Sequence, residues 1–254
     1  MFKNNIFMPF VVLGDPGYNE SIAIIKTLID NEAGALELGF AFSDPIADGP
    51  VIQKSNNIAL SNGITTDKSF EILKEIRDYS NIPISLMLSY NLVFKYGIEK
   101  FYSNCEKLKI NAVLCPDVPI EESSDLITNS KRFNINQIFL VSPNTTIKRM
   151  KKINTICSGY VYLVSLLGTT GEREQINQKL PELIKTVKQE IDLPVYVGFG
   201  ISKPEHVKNV LEIGADGAIC GSAICKLIQN SSDSVKDVGK FCKEMSEVIS
   251  KWTL

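Results

Sequence analysis

The chain has 254 residues and a formal net charge of −2. Hydrophobic residues make up 44% and charged residues 22%, a globular balance that excludes a mostly disordered chain and permits a substantial core. The near-neutral charge leaves no global electrostatic footprint for nucleic acid. The first apolar run, Ile6–Leu13, is broken by Pro9 and followed by Gly14-Asp15. It is too short to span a membrane and carries no cleavage-site pattern, so a cytoplasmic protein is expected. The abundance of Asn, Ile and Lys suits an AT-rich genome, and a plastid stroma is the alternative compartment.

In chain order, short β-branched runs alternate with longer amphipathic ones. Ile6–Leu13 reads as a strand, and Ser21–Ala33 as a helix with Ile22, Ile25, Ile29 and Ala33 at helical spacing. Ala35–Phe40 is the second strand, followed by Asp67–Tyr79 with Phe70, Leu73 and Ile76 on one face. The alternation continues with strands Ile84–Leu88, Ala112–Cys115 and Gln137–Val141 and helices Gly97–Leu108, Glu122–Arg132 and Thr146–Ile156. Strands Tyr160–Ser165, Val195–Gly198 and Gly217–Cys220 then interleave with helices Leu180–Glu190, Pro204–Leu211 and Asp237–Lys251. Near-continuous apolar character suits strands buried on both faces. Eight strand–helix units predict a (β/α)8 TIM barrel, with residues 1–254 as a single domain. The competing doubly wound sheet usually announces a glycine-rich turn, and Gly14-Asp15-Pro16-Gly17 lacks the G-x-G-x-x-G spacing.

Barrel chemistry gathers at the carboxyl ends of the strands. Glu37 is a carboxylate inside the apolar second strand, facing either the lumen or the helix layer. In an apolar lumen its pKa would rise, suiting proton transfer near neutrality; a structural pairing with a buried cation explains it equally well. Beyond that strand, Asp48 precedes Gly49 and reads either as a turn residue or as a second carboxylate for the same pocket. Gly198-Phe199-Gly200 follows the seventh strand, and Gly221-Ser222 follows the eighth and opens a helix. These positions favour phosphate binding by backbone N–H groups over ordinary turns. Gly168–Glu174 reads as a mobile lid or a plain surface loop. Tyr160 and Tyr162 line one face of the sixth strand, where core packing explains them equally well. His206 is expected at the surface and Trp252 as a packing anchor. The six cysteines form no C-x-x-C pair and, with one histidine, make a metal site improbable; reduced, buried thiols are expected.

Together these residues resemble the tryptophan synthase alpha subunit family. The resemblance runs from Pro9–Pro16 through Leu36-Glu37-Leu38-Gly39 and Phe42–Gln53. It continues through Asn91–Phe94, Asp117–Glu122, Gly168–Gly171, Gly198–Ser202 and Gly221–Ile224. It implies cleavage of indole-3-glycerol phosphate to indole and glyceraldehyde 3-phosphate, with Glu37 and Asp48 catalytic. It further implies a phosphate site at Gly171, Gly200, Gly221 and Ser222, and a pocket lined by Phe10, Leu114, Tyr162, Thr170 and Phe199. No cofactor is implied for this subunit. The implied partner is a pyridoxal-phosphate-bearing beta subunit in an alpha2-beta2 heterotetramer, met by loops carrying Asp44 and Asn91. The chain departs from the family at Ala41, Leu166, Leu167 and Thr169. Its N-terminus is short where a floor-closing helix is usual. A subunit that mainly activates its beta partner is the rival from outside catalysis. Indole-glycerol-phosphate synthase chemistry would need lysines at strand ends, and these strand ends supply none.

Overall fold

The computed structural model describes residues 2, 5–164, 172–198 and 200–252, and the side chains of 172–178, 251 and 252 lie outside that description. Nine strand segments are present among the described residues. They are β1 (Ile6–Val12), β2 (Leu36–Gly39), β3 (Ile84–Met87), β4 (Ala112–Leu114), β5 (Asn136–Ile138), β6 (Leu140–Val141), β7 (Val161–Val164), β8 (Val195–Gly198) and β9 (Gly217–Cys220). All pair in parallel, in the order β5-β4-β3-β2-β1-β9-β8-β7-β6. Only Phe139 separates β5 from β6, so the two ends of that order are halves of one strand position and the sheet closes as a TIM barrel.

The helices are α1 (Tyr18–Asp30), α2 (Pro50–Ser61), α3 (Thr66–Tyr79), α4 (Tyr90–Tyr96), α5 (Ile98–Lys107), α6 (Ser124–Arg132), α7 (Ile147–Ile156), α8 (Glu172–Glu190), α9 (Pro204–Glu212), α10 (Ser222–Asn230) and α11 (Ser234–Trp252). Their apolar stripes pack on the outward side chains of the strands in one continuous core. α3 shows how such a helix is delimited. Thr65 accepts the Lys68 N–H at 3.2 Å to start it, and Arg77 in its last turn donates to the carbonyls of Ser80, Ile82 and Leu108 beyond its end.

The inward side chains form a second, smaller core. Ile6, Met8, Ala35, Ala112, Leu114, Ile138, Tyr160, Tyr162, Tyr196 and Ile219 fill the lumen. Phe2 joins them at the amino-terminal end of the barrel. Its ring centroid is 5.0 Å from Tyr160 and 6.3 Å from Tyr196, and those two tyrosines stack at 4.6 Å. The Phe2 ring therefore packs against the amino-terminal end of the lumen.

Several predicted elements differ in extent. Gln137–Val141 is split at Phe139, and its first half begins at Asn136. A short 3₁₀ turn, Ile120–Glu122, precedes α6 where one helix from Glu122 was expected. α8 starts at Glu172 rather than Leu180 and carries Pro181 inside it. α2 and α4 had no predicted counterpart. All six cysteines are free and buried, as expected. Of the predicted lid Gly168–Glu174, residues 172–174 form the start of α8 rather than a loop, and 168–171 lie outside the described residues, as do Ser165, the departures at Leu166, Leu167 and Thr169, and the Trp252 side chain. No described helix is long and apolar enough to cross a membrane.

Candidate active site

β2 places Glu37 in register with Phe10 of β1 and Ser85 of β3. Strand alternation turns all three into the lumen, which settles the choice left open for Glu37. Glu37 is 1% exposed. Tyr160, from across the barrel, places its hydroxyl 3.4 Å from Glu37 Oε1 and 3.0 Å from Ser85 Oγ. No cation pairs with Glu37 among the described residues. Burial pushes its pKa from 4.5 up to about 8; the Tyr160 hydrogen bond opposes the rise and the charge of Asp48 adds to it.

Asp48 sits at the rim. Its N–H donates to the Pro45 carbonyl at 3.1 Å, so its backbone serves the turn while the residue lines the cleft. Asn56, 3% exposed on α2, donates to Asp48 Oδ2 at 3.1 Å and accepts the Phe42 N–H at 3.0 Å. One amide thus ties the β2–α2 loop at two points. Burial raises the Asp48 carboxyl above its ordinary value, and the Asn56 hydrogen bond works against that rise.

Asp48 opens onto a cleft of about 170 Å³ at the carboxyl ends of β1 to β4, walled by Phe10, Phe42, Asn56 and Met87. Glu37 is outside this wall, one layer deeper beside Phe10. Gly39 permits that depth, because a Cβ there would stand 2.8 Å from the Phe10 ring. Leu114 and Tyr162 belong to the same lumen cluster. Asp44 and Asn91 line the outer part of the cleft, both exposed, and Asp44 accepts the Ser43 hydroxyl at 2.6 Å.

At the opposite side of the mouth, Gly198 of β8 pairs with Ile219 of β9. Gly200 and Gly221 lie two residues beyond that pair. Gly200 has a φ of 79°, and Cys220 Sγ donates to the Ile201 carbonyl at 3.0 Å, holding the two strand ends together. Gly221 caps α10, whose first turn has no side-chain cap, and Ser222 is exposed beside it. Uncapped N–H groups on a helix start suit an anion. Thr170, Gly171 and Phe199 lie outside the described residues.

His206 is half-buried rather than fully at the surface, and its Nδ1 accepts the Ser202 N–H at 3.2 Å. No cluster suited to a metal ion occurs among the described residues. Sequence reasoning missed Asn56, Ser85 and the two exposed apolar residues at the mouth, Ile46 and Phe94. Phe94 lies inside the motif Asn91–Phe94, whose apolar ending is the one signal that pointed to it.

A closed parallel barrel with two carboxyl groups of unlike burial, one in the lumen and one at the mouth, is a TIM barrel with a site suited to acid–base chemistry. Comparison with known proteins narrows the class. The family model described as tryptophan synthase alpha chain matches residues 2–251. The tryptophan synthase alpha chain of Methanothermobacter thermautotrophicus is 46% identical over 225 residues, covering 89% of this chain and 83% of that one. That of Buchnera aphidicola subsp. Baizongia pistaciae is 43% identical over 254 residues, covering 100% of this chain and 94% of its own. A solved chain from the Pyrococcus furiosus tryptophan synthase a2b2 complex superposes with a TM-score of 0.90 at 38% identity, over 96% of this chain and 99% of that one. The chain belongs to the tryptophan synthase alpha chain family, a family of lyases.

Proposed function

We propose that this chain, working as one barrel domain, cleaves indole-3-glycerol phosphate to indole and glyceraldehyde 3-phosphate. The observation that carries this reading is Glu37, a carboxyl kept protonated near neutrality by the lumen and set one layer below the cleft that holds Asp48.

A retro-aldol scission must leave an electron pair on the indole ring. Glu37, in its acid form, gives its proton to indole C3 and turns the ring into an electron sink. The resulting carboxylate takes the proton of the glycerol hydroxyl as the carbon–carbon bond breaks, so Glu37 ends as it began. Asp48 accepts the indole N–H and stabilises the positive charge that develops on that nitrogen. Phe10, Leu114 and Tyr162 wall the ring, together with Thr170 and Phe199. The phosphate sits at the N–H groups of Gly200, Gly221 and Ser222, completed by Gly171.

The chain docks a beta subunit through the face that carries Asp44 and Asn91, as one half of an alpha2-beta2 assembly. The solved Pyrococcus furiosus relatives in complexes of that kind support this reading. Pyridoxal phosphate belongs to the beta partner, and this subunit's steps call on no cofactor. The cytoplasm is the proposed compartment, or a plastid stroma if the gene is plastid-borne.

The test is Glu37→Gln, which keeps the shape and removes the transferable proton. Turnover should fall by about a hundredfold to ten-thousandfold while substrate binding by calorimetry stays within a few-fold. Near-normal turnover overturns the assignment of Glu37. A wild-type chain that binds and activates a beta subunit without cleaving substrate would instead establish the purely activating role.

A further inference from the structure

We infer that Ser85 is a positioning residue for proton transfer: acting through Tyr160, it gives Glu37 a hydrogen-bond partner in both of its protonation states. The inference rests on the reading of Glu37 as the proton carrier. Ser85 is fully buried on β3, directly beside Glu37 in register, yet its hydroxyl is reached by Tyr160 from the opposite wall. Tyr160 has one hydroxyl proton and two acceptors in range, Ser85 Oγ at 3.0 Å and Glu37 Oε1 at 3.4 Å. The ring cannot swing away to choose between them, because Phe2 and Tyr196 pack against it.

Two arrangements of the same atoms satisfy this triad. When Glu37 is neutral, its O–H donates to Tyr160 Oη and the Tyr160 O–H donates to Ser85. When Glu37 is ionised, the Tyr160 O–H turns to the carboxylate and Ser85 donates to Tyr160. Reversal needs only two hydroxyl rotations and no heavy-atom movement. Without Ser85, the neutral state would strand a buried O–H donor, which is costlier than an oxygen lacking one of its donors. Ser85 therefore favours the acid form that the first proton transfer needs. The other titratable groups facing Glu37 among the described residues are Asp48, from the β2–α2 loop, and Tyr162 of β7. Asp48 disfavours the carboxylate through its charge, and Tyr162 is held neutral by burial. Neither is exchanged when Ser85 is replaced.

The test compares the alkaline limb of the kcat profile for Ser85→Ala, Ser85→Gly and Tyr160→Phe in the complex with a beta subunit. Both Ser85 variants should move the limb to lower pH by about half to one unit, because the acid form loses its support. Tyr160→Phe should move it to higher pH, because the hydrogen bond lost to the charged carboxylate outweighs the acceptor lost to the neutral O–H. A packing defect would separate Ala from Gly and leave the limb in place. If Glu37→Gln is inactive but the Ser85 and Tyr160 variants shift together, or not at all, Ser85 has no such role. If Glu37→Gln keeps its turnover, the reading of Glu37 falls first.

Discussion

Glu37 shows how one residue's surroundings set its chemistry. The Gly39 pocket beside Phe10 and the apolar lumen remove water from the carboxyl, and no cation replaces that water among the described residues. The folded pKa of about 8 lies above the ordinary 4.5, so the folded chain holds a proton that the unfolded chain releases. This contribution to stability is fully present below pH 4.5 and declines as pH rises. The decline is about 1.4 kcal/mol per pH unit and stops once the folded group ionises too. Glu37→Gln should flatten that slope. In thermal melts the variant should match the wild type near pH 4.5 and exceed it at pH 8. Activity has the same origin, and wild-type kcat/KM should fall as pH rises through about 8. A flat profile across that range would mean that the acid form is not required.

Among the elements, the β8–α9 and β9–α10 connections bear the most weight outside the carboxylates. Gly200 holds a φ of 79° beside the uncapped start of α10. A side chain there strains the backbone by about 1–3 kcal/mol and crowds the anion's approach. Gly200→Val should raise KM for the phosphorylated substrate about tenfold or more, with a smaller effect on kcat. An unchanged KM would place the phosphate elsewhere. The strands around this site were legible because burial on both faces leaves a continuous apolar run. α2 was not, because its buried residues, Ser55, Asn56 and Ala59, are small or polar and trace no apolar stripe. α4 spans only seven residues, less than a helical period needs to show itself. Glu37 stood out as a charge inside an apolar strand, whereas Asp48 looked like any Asp-Gly turn. Ser85 and Asn56 gave no sign, because their roles arise from contacts that sequence spacing does not carry: Tyr160 is 75 positions from Ser85.

At the scale of the whole molecule, two large apolar side chains stand in solvent at the barrel mouth. Ile46 is 94% exposed and lines the cleft with Asp44 and Asn91, and Phe94, 66% exposed, follows Asn91 on α4. Their exposure suits a face that a beta subunit covers. Replacing either with Asp should weaken activation by a beta subunit about tenfold in a titration while changing the isolated chain's own turnover far less. Equal activation of both variants would move the docking face away from this end.

Phe2 has a consequence for traffic. With its ring against Tyr160 and Tyr196, the described side chains fill the amino-terminal end of the lumen and leave no passage for an indole among the described residues. Whatever enters at the mouth must leave by the mouth. On the proposed reading, indole has one direction of travel, outward through the cleft that Asp48 and Ile46 line, toward the surface where a second catalyst would sit. The stopper at the bottom thus decides what happens at the top: a neutral, membrane-permeable product is delivered by the shape of its container.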